Sequence, residues 1–588
     1  MIRHTTSVVG SNSGKGTILL LSDCYSEYQK QLIDPLRFQL AEAGYGLCVA
    51  IGTVVPKNSD ELSGNSAFFD WLKTTKIHGV IVMTTTVFVD MAPTEIADFL
   101  KGFGDMPTLS VGAVIPEIDS LVLDNAQGMR ECMQRLLDEP ENRVFMFIGG
   151  KSNNPNSIER EAIFRNSLAM FGITVDEDLI LYNDFLTTRS YNTVKNTLRD
   201  RPDVDVVVCV NDETAQSVLY ALKSMNVAVP QDVRVCGFDD SFEATRLQPT
   251  LSSTTQPFGE VARLACQRIL DGLKKKPPRA QVKRVPTRFI ARESTVCSNS
   301  EPPQFLFDNH DDQNLSAELV DAIIERIRQP GLQYTVPKRH LKAALREAAD
   351  GSASLFHQHV QHMMSKPTFS KLDVHWWNNL AVAIDDHCDE LPLSDYKLTL
   401  QSTLSRDLRI IYKAVNDWVA AQQFHLNRSL EVYMQLLEQV SRSWNIESIC
   451  ASLEAWLKER EVRYFFLAMY TEPLESIPAQ SKILVSCVNG QLEKNNDPMA
   501  FATRDLLPTP LQSLLRSEHL LILPIHSAST QYGYIVFEPR SADRFGNSLS
   551  SLGEHIGRSL NLMLMAEREQ LSGVNRKTLN QEQSTPTR

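Results

Sequence analysis

Two pairs of polar residues end apolar runs in VVVCVNDETAQSVLYALKSMNVAVPQDVRVCGFDDS, residues 206–241. Asn211 and Asp212 follow the first β-branched run, and Asp239 and Asp240 follow the second. Their amide and carboxylate oxygens can accept hydrogen bonds from ligand hydroxyl or ring N–H groups, and charge-assisted bonds are among the stronger ones. Aspartate is also a good helix N-cap, which is the alternative role for Asp212 and Asp240. We expect the first member of each pair to contact a ligand and the second to hold the turn.

The strands that would deliver these residues alternate with helix-length segments from residue 17 to about residue 291. Segments such as AQGMRECMQRLLDE and TAQSVLYALKSMN have apolar residues three and four apart, which predicts helices. Continuous apolar strands with crossover helices indicate an α/β domain whose parallel sheets are covered on both faces. Ligands bind such sheets outside the carboxyl ends of the strands, where Asn211 and Asp239 fall. The predicted strands are TILLLS from residue 17, GLCVAIG from 46, GVIVMTT from 79, TLSVG from 108, SLVLDN from 120, RVFMFIGG from 143, DVVVCVND from 205 and VRVCGFDD from 233.

Residues 17–296 resemble the effector-binding domain of the LacI/GalR family of repressors, which has a two-lobed type 1 periplasmic-binding-protein fold. The resemblance rests on the stretch quoted above and on LQPTLSSTTQPFGEVARLACQRIL. Together they contain Asn-Asp, Val-Pro-x-Asp-Val, Gly-Phe-Asp-Asp and Thr-x-x-Gln-Pro in the family's order and spacing. FIGGKSNNPNSIEREAIFRNSLAMFGI likewise resembles the segment whose arginine reaches the effector. The resemblance implies a clamp whose chain crosses between the lobes three times.

The ligand site that the resemblance implies draws on both lobes. An arginine fork, carboxylates and aromatic faces suit a sugar or a nucleoside-like effector. The set contains no activated nucleophile and no oriented base, so we predict binding, with no enzymatic activity and no cofactor. The implied contacts are Asp23, Tyr25 and Tyr28 in the first lobe, Asn125 near the hinge, and Arg160, Phe185, Asn211, Asp239 and Gln256 in the second lobe or the crossovers.

The sequence departs from the family pattern in several places. Pro35 falls inside a predicted helix, where it costs on the order of 3 kcal/mol unless the helix kinks or starts later. Ile163 replaces the glycine that is usual before Phe164. The first predicted strand begins at Thr17, which leaves no room for the helix-turn-helix and hinge helix with which family repressors begin. We expect residues 1–16 to be a flexible leader.

Three motifs suggest other chemistry, and in each the plainer interpretation is favoured. The basic stretch KKKPPRAQVKRVPTRFIAR could bind phosphate, but Lys274 and its neighbours end a helix and the rest alternates along a strand. His357, His359 and His362 could share a metal, yet no acidic residue lies nearby, so we predict a solvated surface and no metal. GSNSGKGT near residue 10 lacks the glycine spacing of a phosphate loop and precedes a strand instead of following one.

The chain changes character after the α/β domain. Residues 297–314 are polar and without period, which is typical of a linker. Residues 315–425 contain amphipathic segments and no comparable strand, which predicts an α-helical region. Its segment KRHLKAALREAADG is basic but has no clear helix-turn-helix pattern.

Residues 426–571 begin with a short heptad seam. Its spacings of 4, 3, 4, 3 and 4 are compatible with a dimerising helix and equally with a helix that packs on its own domain. The seam residues are Leu426, Leu430, Tyr433, Leu437, Val440 and Trp444.

The seam is followed by four predicted strands and a closing helix, which indicate a small α+β domain. The strands are VRYFFLAMY, SKILVSCVNG, HLLILPIHS and QYGYIVFEP, and the last two flank SAST as a hairpin. The order of elements resembles a GAF domain, which implies small-molecule binding or dimerisation. We expect residues 572–588 to be disordered.

The composition describes a soluble protein of three or more domains. The chain has 588 residues, of which 43% are hydrophobic and 22% charged, and its formal net charge is −12. This charge disfavours electrostatic binding of nucleic acid or anionic lipid by the chain as a whole. Because the sequence has no signal peptide, no apolar run of about 18 residues and no CxxC pair among its ten cysteines, we expect a cytoplasmic location with reduced thiols.

The favoured hypothesis is a cytoplasmic sensor that acts as a homodimer. A small molecule closes the clamp, and the motion passes through the helical region and the seam to the GAF-like domain. No GGDEF motif, phospho-accepting histidine box or ATP-binding glycine motif follows Leu571, so a separate protein would supply the output. The alternative is a transcription regulator that binds DNA through an unrecognised region or partner.

Overall fold

The computed structural model describes most of the N-terminal and C-terminal parts of the chain and scattered residues between them. The chain divides into a unit formed by residues 1–297 and 432–588 and a unit formed by residues 298–431. The described residues are 14–296 except 56–63, 89, 151–153, 184–186, 242, 246 and 275–279; isolated residues between 343 and 413; and 431–566 except 432, 444, 459–461, 475–476, 495–499, 528–529 and 540–551.

The strands form two sheets. In chain order they are β1 (Gly16–Ser22), β2 (Tyr45–Ile51), β3 (Gly79–Met83), β4 (Thr108–Val111), β5 (Asp119–Asp124), β6 (Phe145–Gly149), β7 (Ile180–Tyr182), β8 (Val206–Cys209), β9 (Arg234–Asp239), β10 (Ser252–Thr255), β11 (Val282–Pro286), β12 (Arg288–Ile290), β13 (Tyr464–Leu474), β14 (Gln480–Val488), β15 (Gln491–Lys494), β16 (Ala500–Ala502), β17 (His519–Ser527) and β18 (Thr530–Phe537).

Helices cover these sheets and connect their strands. They are α1 (Glu27–Glu42), α2 (Gly64–Leu72), α3 (Thr84–Val87), α4 (Pro93–Lys101), α5 (Asn125–Leu137), α6 (Pro155–Met170), α7 (Thr187–Asp200), α8 (Asp212–Ser224), α9 (Phe258–Lys274), α10 (Ile446–Lys458) and α11 (Gln512–Ser517), with further helical segments at 433–441 and 552–566. Helix α1 starts at Glu27 and includes Pro35, so the helix does not begin after the proline. Among the described residues, no helix is long and apolar enough to cross a membrane.

The first domain has the two lobes that the sequence predicts. Strands β1 to β5 and β11 form the first lobe, and all their pairings are parallel. The second lobe has the sheet order β12-β10-β9-β8-β6-β7, in which only β12 is antiparallel. The eight predicted strands are confirmed as β1 to β6, β8 and β9. Burial on both faces explains why they are continuously apolar.

The chain crosses between the lobes three times, as the resemblance implies. It passes from β5 through α5 to β6, from β10 to α9, which packs on the first lobe, and from β11 to β12. Asn125 and Gln256 lie at the first two of these crossings. Residues at the crossings are therefore placed to contact a ligand held by both lobes.

The C-terminal strands form an antiparallel sheet, and β17 and β18 make the predicted hairpin. Unexpectedly, this sheet continues the sheet of the first lobe, because β17 pairs in parallel with β2 from His519 opposite Leu47 to Ile522 opposite Ala50. Among the described residues, the resulting sheet joins twelve strands. One apolar core extends through the first lobe and the C-terminal sheet, whereas the second lobe has separate cores on its two faces.

The heptad seam packs on its own chain where the structure describes it. Tyr433, Leu437 and Val440 are buried in the core shared with the C-terminal sheet, and the Ser559 hydroxyl donates to the Val440 carbonyl oxygen (2.9 Å). These contacts support the second of the two interpretations for these three residues. Leu426, Leu430 and Trp444 lie outside the described residues.

The described residues between 343 and 413 are all helical. Within this region His357 Nδ1 lies 2.7 Å from Asp407 Oδ1, so this histidine has an acidic partner that the sequence analysis did not foresee. His359 and His362 lie outside the described residues. The described residues contain no cluster of three or more possible metal ligands.

Candidate functional site

The strand ends β8 and β9 carry the two polar pairs, and the roles within the first pair differ from those expected. Asn211 is the N-cap of α8, and its Oδ1 accepts a hydrogen bond from the Thr214 amide (2.9 Å). The predicted capping role of Asp212 is therefore wrong, because the extended backbone before the helix places Asn211 at the cap. The ligand contact predicted for Asn211 stays a prediction.

Asp212 and Asp240 both hold the loop after β9, so Asp240 holds its own turn as predicted, whereas Asp212 holds the turn of the other pair. Asp212 is 3% exposed and accepts from the Ser253 hydroxyl (2.5 Å) and the Ser241 amide (2.7 Å). Asp240 donates its amide to the Ser253 hydroxyl and pairs with Arg292 at 2.5 Å. These bonds fix the backbone that presents Asp239.

Asp239 has a strained backbone and lies in a hydrogen-bonded row that joins the lobes. Its φ of 115° lies in a region that non-glycine residues rarely adopt, and such strain concentrates at functional sites. Asp239 accepts from the side-chain amide of Gln256, whose oxygen accepts from the Tyr28 hydroxyl (3.3 Å). Tyr28 belongs to α1 of the first lobe, and Asp239 ends β9 of the second.

Arg160 is buried beside this row. Its guanidinium lies 3.5 Å from the centre of the Phe238 ring, donates to the Val210 carbonyl oxygen (2.5 Å) and lies 4.0 Å from Asp239 Oδ1. The guanidinium also donates to Asn125 Oδ1 from Nη2 (3.2 Å). These contacts hold a cation in a fixed orientation within the second lobe.

Burial decides the protonation chemistry of the site. It raises the pKa of Asp239 to about 7, against the opposing effects of Arg160 and Gln256. Burial also raises the pKa of Asp212 well above its usual range, and the neighbouring Asp239 adds to this. The pKa of Tyr28 is raised and that of Arg160 is lowered, again mainly by burial. Near neutral pH, Asp239 can therefore act as an acceptor or, when protonated, as a donor.

The remaining predicted contacts, Asp23, Tyr25 and Phe185, do not belong to the hydrogen-bonded row. Asp23 accepts from the side-chain amide of Gln29 (3.0 Å) and lies close enough to Tyr28 to raise its pKa. Tyr25 is 1% exposed, and its ring lies 6.1 Å from the ring of His519 in β17 and 5.3 Å from Lys30 Nζ, so Tyr25 belongs to the core shared with the C-terminal sheet. Phe185 lies outside the described residues.

Two residues of α6 that the sequence analysis missed belong to the site. The Asn125 side-chain amide donates to Glu159 (2.7 Å) and to Asn156 (3.0 Å). Glu159 precedes Arg160 in the chain, and a carboxylate next to a buried arginine was the signal that could have identified it. The site therefore offers acceptors and donors from α1, α5, α6, β9 and the segment after β10.

These features define a two-lobed α/β domain with buried polar groups between its lobes. A family model described as a periplasmic binding protein-like domain matches residues 135–295, the span that contains Arg160, Asn211, Asp239 and Gln256. The relatives are HTH-type transcriptional regulators, and several solved structures of LacI-type regulators are also similar.

Each of the following proteins is similar over less than half of this chain. CelR of Thermobifida fusca is 31% identical over 188 residues, 31% of this chain and 54% of that protein, so the match spans about half of CelR. RegA of Clostridium saccharobutylicum is 26% identical over 41% of this chain and 71% of its own, and PurR of Proteus mirabilis is 23% identical over 48% and 81%. The solved structure of a CelR–cellobiose complex is 23% identical, covers 47% of this chain and 84% of that chain, and has a TM-score of 0.41.

Proposed function

We propose that this chain is a cytoplasmic ligand-sensing regulatory protein whose effector, a sugar or a nucleoside-like molecule, binds between the two lobes. The observation that carries the proposal is the row Tyr28–Gln256–Asp239, which joins the lobes beside the buried Arg160. Buried polar groups that can exchange their mutual hydrogen bonds for bonds to a ligand suit a polyhydroxylated or heterocyclic molecule. The matching domain and the regulator relatives support a role in sensing.

The effector would act by stabilising one arrangement of the lobes. Ligand hydroxyl groups would donate to Asp239 and accept from Arg160, and the hydrogen bond between Tyr28 and Gln256 would hold the first lobe against them. Asn211, Asp23, Tyr25 and Phe185 complete the proposed set of contacts. A ligand shifts such an equilibrium only through its differential affinity for the closed form.

A thermal-shift titration of the full chain with sugars, polyols and nucleosides tests the site. We expect a stabilising compound whose apparent Kd rises about tenfold or more in Asp239→Ala and Arg160→Ala, because a hydrogen bond to a charged group contributes about 1.5–3 kcal/mol. Asp239→Asn keeps the shape of the side chain and should show a similar loss of affinity. This variant tests the site even if the alanine variants are poorly folded.

The matched controls are Asp200→Ala and Arg199→Ala, at the exposed end of α7 in the same lobe. Both should keep the affinity of the unmodified chain. Equal affinities in the site variants and the controls would contradict the site assignment.

The pH dependence of binding follows from the raised pKa of Asp239, which is about 7. A ligand hydroxyl that donates to this carboxylate requires the ionised form, so affinity should rise from pH 6 to pH 8. The affinity of Asp239→Asn should be flat over the same range. An unmodified chain whose affinity falls as pH rises would show that Asp239 donates to the ligand in its protonated form.

The proposal extends to the C-terminal region and to assembly. Helix α10, the antiparallel strands β13 to β18 and helix 552–566 follow the element order expected for a GAF-like domain. In this proposal the chain is a homodimer, and a separate protein supplies the output. Motion would reach the C-terminal domain through the helical region and also through the pairing of β2 with β17.

A transcription regulator is the second candidate, because the relatives are HTH-type transcriptional regulators. In this case DNA would be bound through an unrecognised region of this chain or through a partner. Retention of DNA should then fall steeply as salt rises, since phosphate contacts release counterions. Failure to retain DNA even at low ionic strength would rule out direct DNA binding.

A further inference from the structure

The junction between the first lobe and the C-terminal domain is closely packed at Gly14 and Gly46, and a third glycine, Gly16, lets His78 of the first lobe approach β1. A Cβ atom at Gly46 would lie 2.3 Å from the Leu515 carbonyl oxygen, and one at Gly14 would lie 2.2 Å from the Arg516 carbonyl oxygen. A Cβ atom at Gly16 would lie 2.7 Å from the ring of His78. Since real Cβ atoms do not approach so closely, these glycines let residues 515–516 and His78 approach strands β1 and β2.

This close packing explains why two glycines occur in the motif GSNSGKGT, to which the proposed function assigns no role. Gly14 and Gly16 are its described glycines, and Lys15 between them donates to the Ala43 carbonyl oxygen (2.8 Å). The hydroxyl group of Thr17, the last residue of the motif, donates to the Leu515 carbonyl oxygen (2.8 Å). The motif thus forms part of the contact between the first lobe and the C-terminal domain.

A cavity of about 360 Å³ lies at this junction. Its walls come from both sides, with Thr17, Lys76 and His78 from the first lobe and Asp505, Gln512 and Arg516 from the C-terminal domain. This volume lies within the range of small-molecule sites, about 300–1,000 Å³. A molecule in the cavity would contact both parts at once.

The side chains around the cavity are mainly hydrogen-bond donors. His78 Nδ1 accepts from the Thr17 amide (3.1 Å), so a neutral ring carries its proton on Nε2. Lys76 Nζ lies 2.8 Å from Asp505 Oδ1, so these two charges balance each other. Arg516 is exposed and forms no ion pair among the described residues. One positive charge is therefore unbalanced, in a chain whose net charge is −12.

We propose that this cavity is a second ligand site, distinct from the cleft between the lobes, and that it binds a phosphate group. Arg516 and Lys76 supply the charge, the Nε2–H of His78 supplies a further donor, and so does the second N–H of the Gln512 side-chain amide, whose first donates to the Leu507 carbonyl oxygen (3.4 Å). Free phosphate and a small phosphate ester share this chemistry. Because the donors come from both sides, the bound phosphate stabilises the junction between the first lobe and the C-terminal sheet.

Thermal denaturation of the full chain tests the site directly, with phosphate replacing chloride at constant ionic strength. The melting temperature should rise and saturate, since a ligand stabilises the state that binds it according to its occupancy. Inorganic phosphate and glycerol phosphate are the two probes. A lower half-saturating concentration for glycerol phosphate identifies an ester as the ligand, and a lower one for inorganic phosphate identifies the free anion.

Arg516→Gln should raise the half-saturating concentration about tenfold or more, as expected for loss of a charge-assisted hydrogen bond. Gln512→Glu places a carboxylate in the cavity wall and should abolish the effect. Arg558→Gln is the matched control, because Arg558 is 67% exposed on helix 552–566 and away from the cavity lining. Equal phosphate dependence in Arg516→Gln and the unmodified chain, or a rise that chloride reproduces, would overturn the proposal.

Discussion

The two lobes of the first domain differ in how their sheets end. The sheet of the second lobe ends at β7 and β12, and its strands pair only with each other among the described residues. The sheet of the first lobe continues through β2 and β17 into the C-terminal strands. The first lobe and the C-terminal sheet are therefore joined by main-chain hydrogen bonds, whereas the second lobe is joined to them by three crossings of the chain.

The packing of side chains follows the same division. The ring of Trp71 in α2 lies 5.6 Å from Tyr534 in β18, within the core that the first lobe shares with the C-terminal sheet. The second lobe keeps its apolar residues in cores of its own. In the proposed function, closure around an effector would therefore move the second lobe against a body made of the first lobe and the C-terminal sheet. The following variants test that division.

The largest expected effect is confined to the second lobe. Phe164 is fully buried, and its ring lies 5.1 Å from Phe147 and 6.5 Å from Phe145. Phe164→Ala should destabilise the second lobe by about 3–5 kcal/mol, because it removes buried surface and leaves a cavity. Hydrogen exchange followed by mass spectrometry should show faster exchange in β6, β8 and β9 and unchanged exchange in β17 and β18.

The control for this variant is Phe171→Ala, at the C-terminal end of α6, where the side chain is 48% exposed. It should leave exchange in both regions nearly unchanged. If Phe164→Ala accelerates exchange in β17 and β18 as much as in β8, the two lobes unfold together and the division is wrong.

The second variant acts at the junction. Gly46→Val places a side chain against the Leu515 carbonyl oxygen and should cost about 1–3 kcal/mol, the usual range for overpacking. Exchange should quicken in β1, β2, β17 and β18 together and stay unchanged in β8 and β9. Gly259→Ala is the control, because a Cβ atom there meets nothing within 4 Å. Faster exchange in β17 and β18 alone would show that the C-terminal sheet opens separately from the first lobe.

Most strands of the two lobes could be predicted from the sequence, because strands buried on both faces are continuously apolar. Strand β10 was missed because its residues SSTT are polar, although Ser252, Ser253 and Thr254 are fully buried. Hydrogen bonds satisfy the hydroxyl groups of the two serines, through Thr295 for Ser252 (2.7 Å) and through Asp212 for Ser253 (2.5 Å). The pairing of β2 with β17 could not be predicted, because the sequence of an edge strand does not indicate which distant strand will pair with it.

Residues of the candidate site could be predicted where they belong to a family motif. They could not be predicted where contacts with distant parts of the chain determine the position of the side chain. Tyr28, Arg160, Asp239 and Gln256 were identified from motifs, and the structure brings them together. The ligand contact of Tyr25 stays a prediction, and its ring also packs 6.1 Å from that of His519, in a strand far along the chain. Such long-range contacts leave no local signal in the sequence.

The third variant tests the junction through pH and has the smallest expected effect. Burial, and to a lesser degree Arg37, lowers the pKa of His519 to about 3, and neither ring nitrogen has a hydrogen-bond partner among the described residues. The unfolded chain binds a proton at an ordinary histidine pKa of about 6.5, so this residue makes stability fall as the pH drops from about 6.5 towards 3. His519→Leu removes that loss. It should raise the free energy of unfolding by about 1 kcal/mol at pH 5, after allowance for solvent screening, and leave it nearly unchanged at pH 8. Denaturant titrations at the two pH values measure this difference, and His555→Leu, on helix 552–566, is the control. If His519→Leu is destabilising at pH 5, the neutral ring contributes to the contact with Tyr25, and the junction depends on histidine at this position.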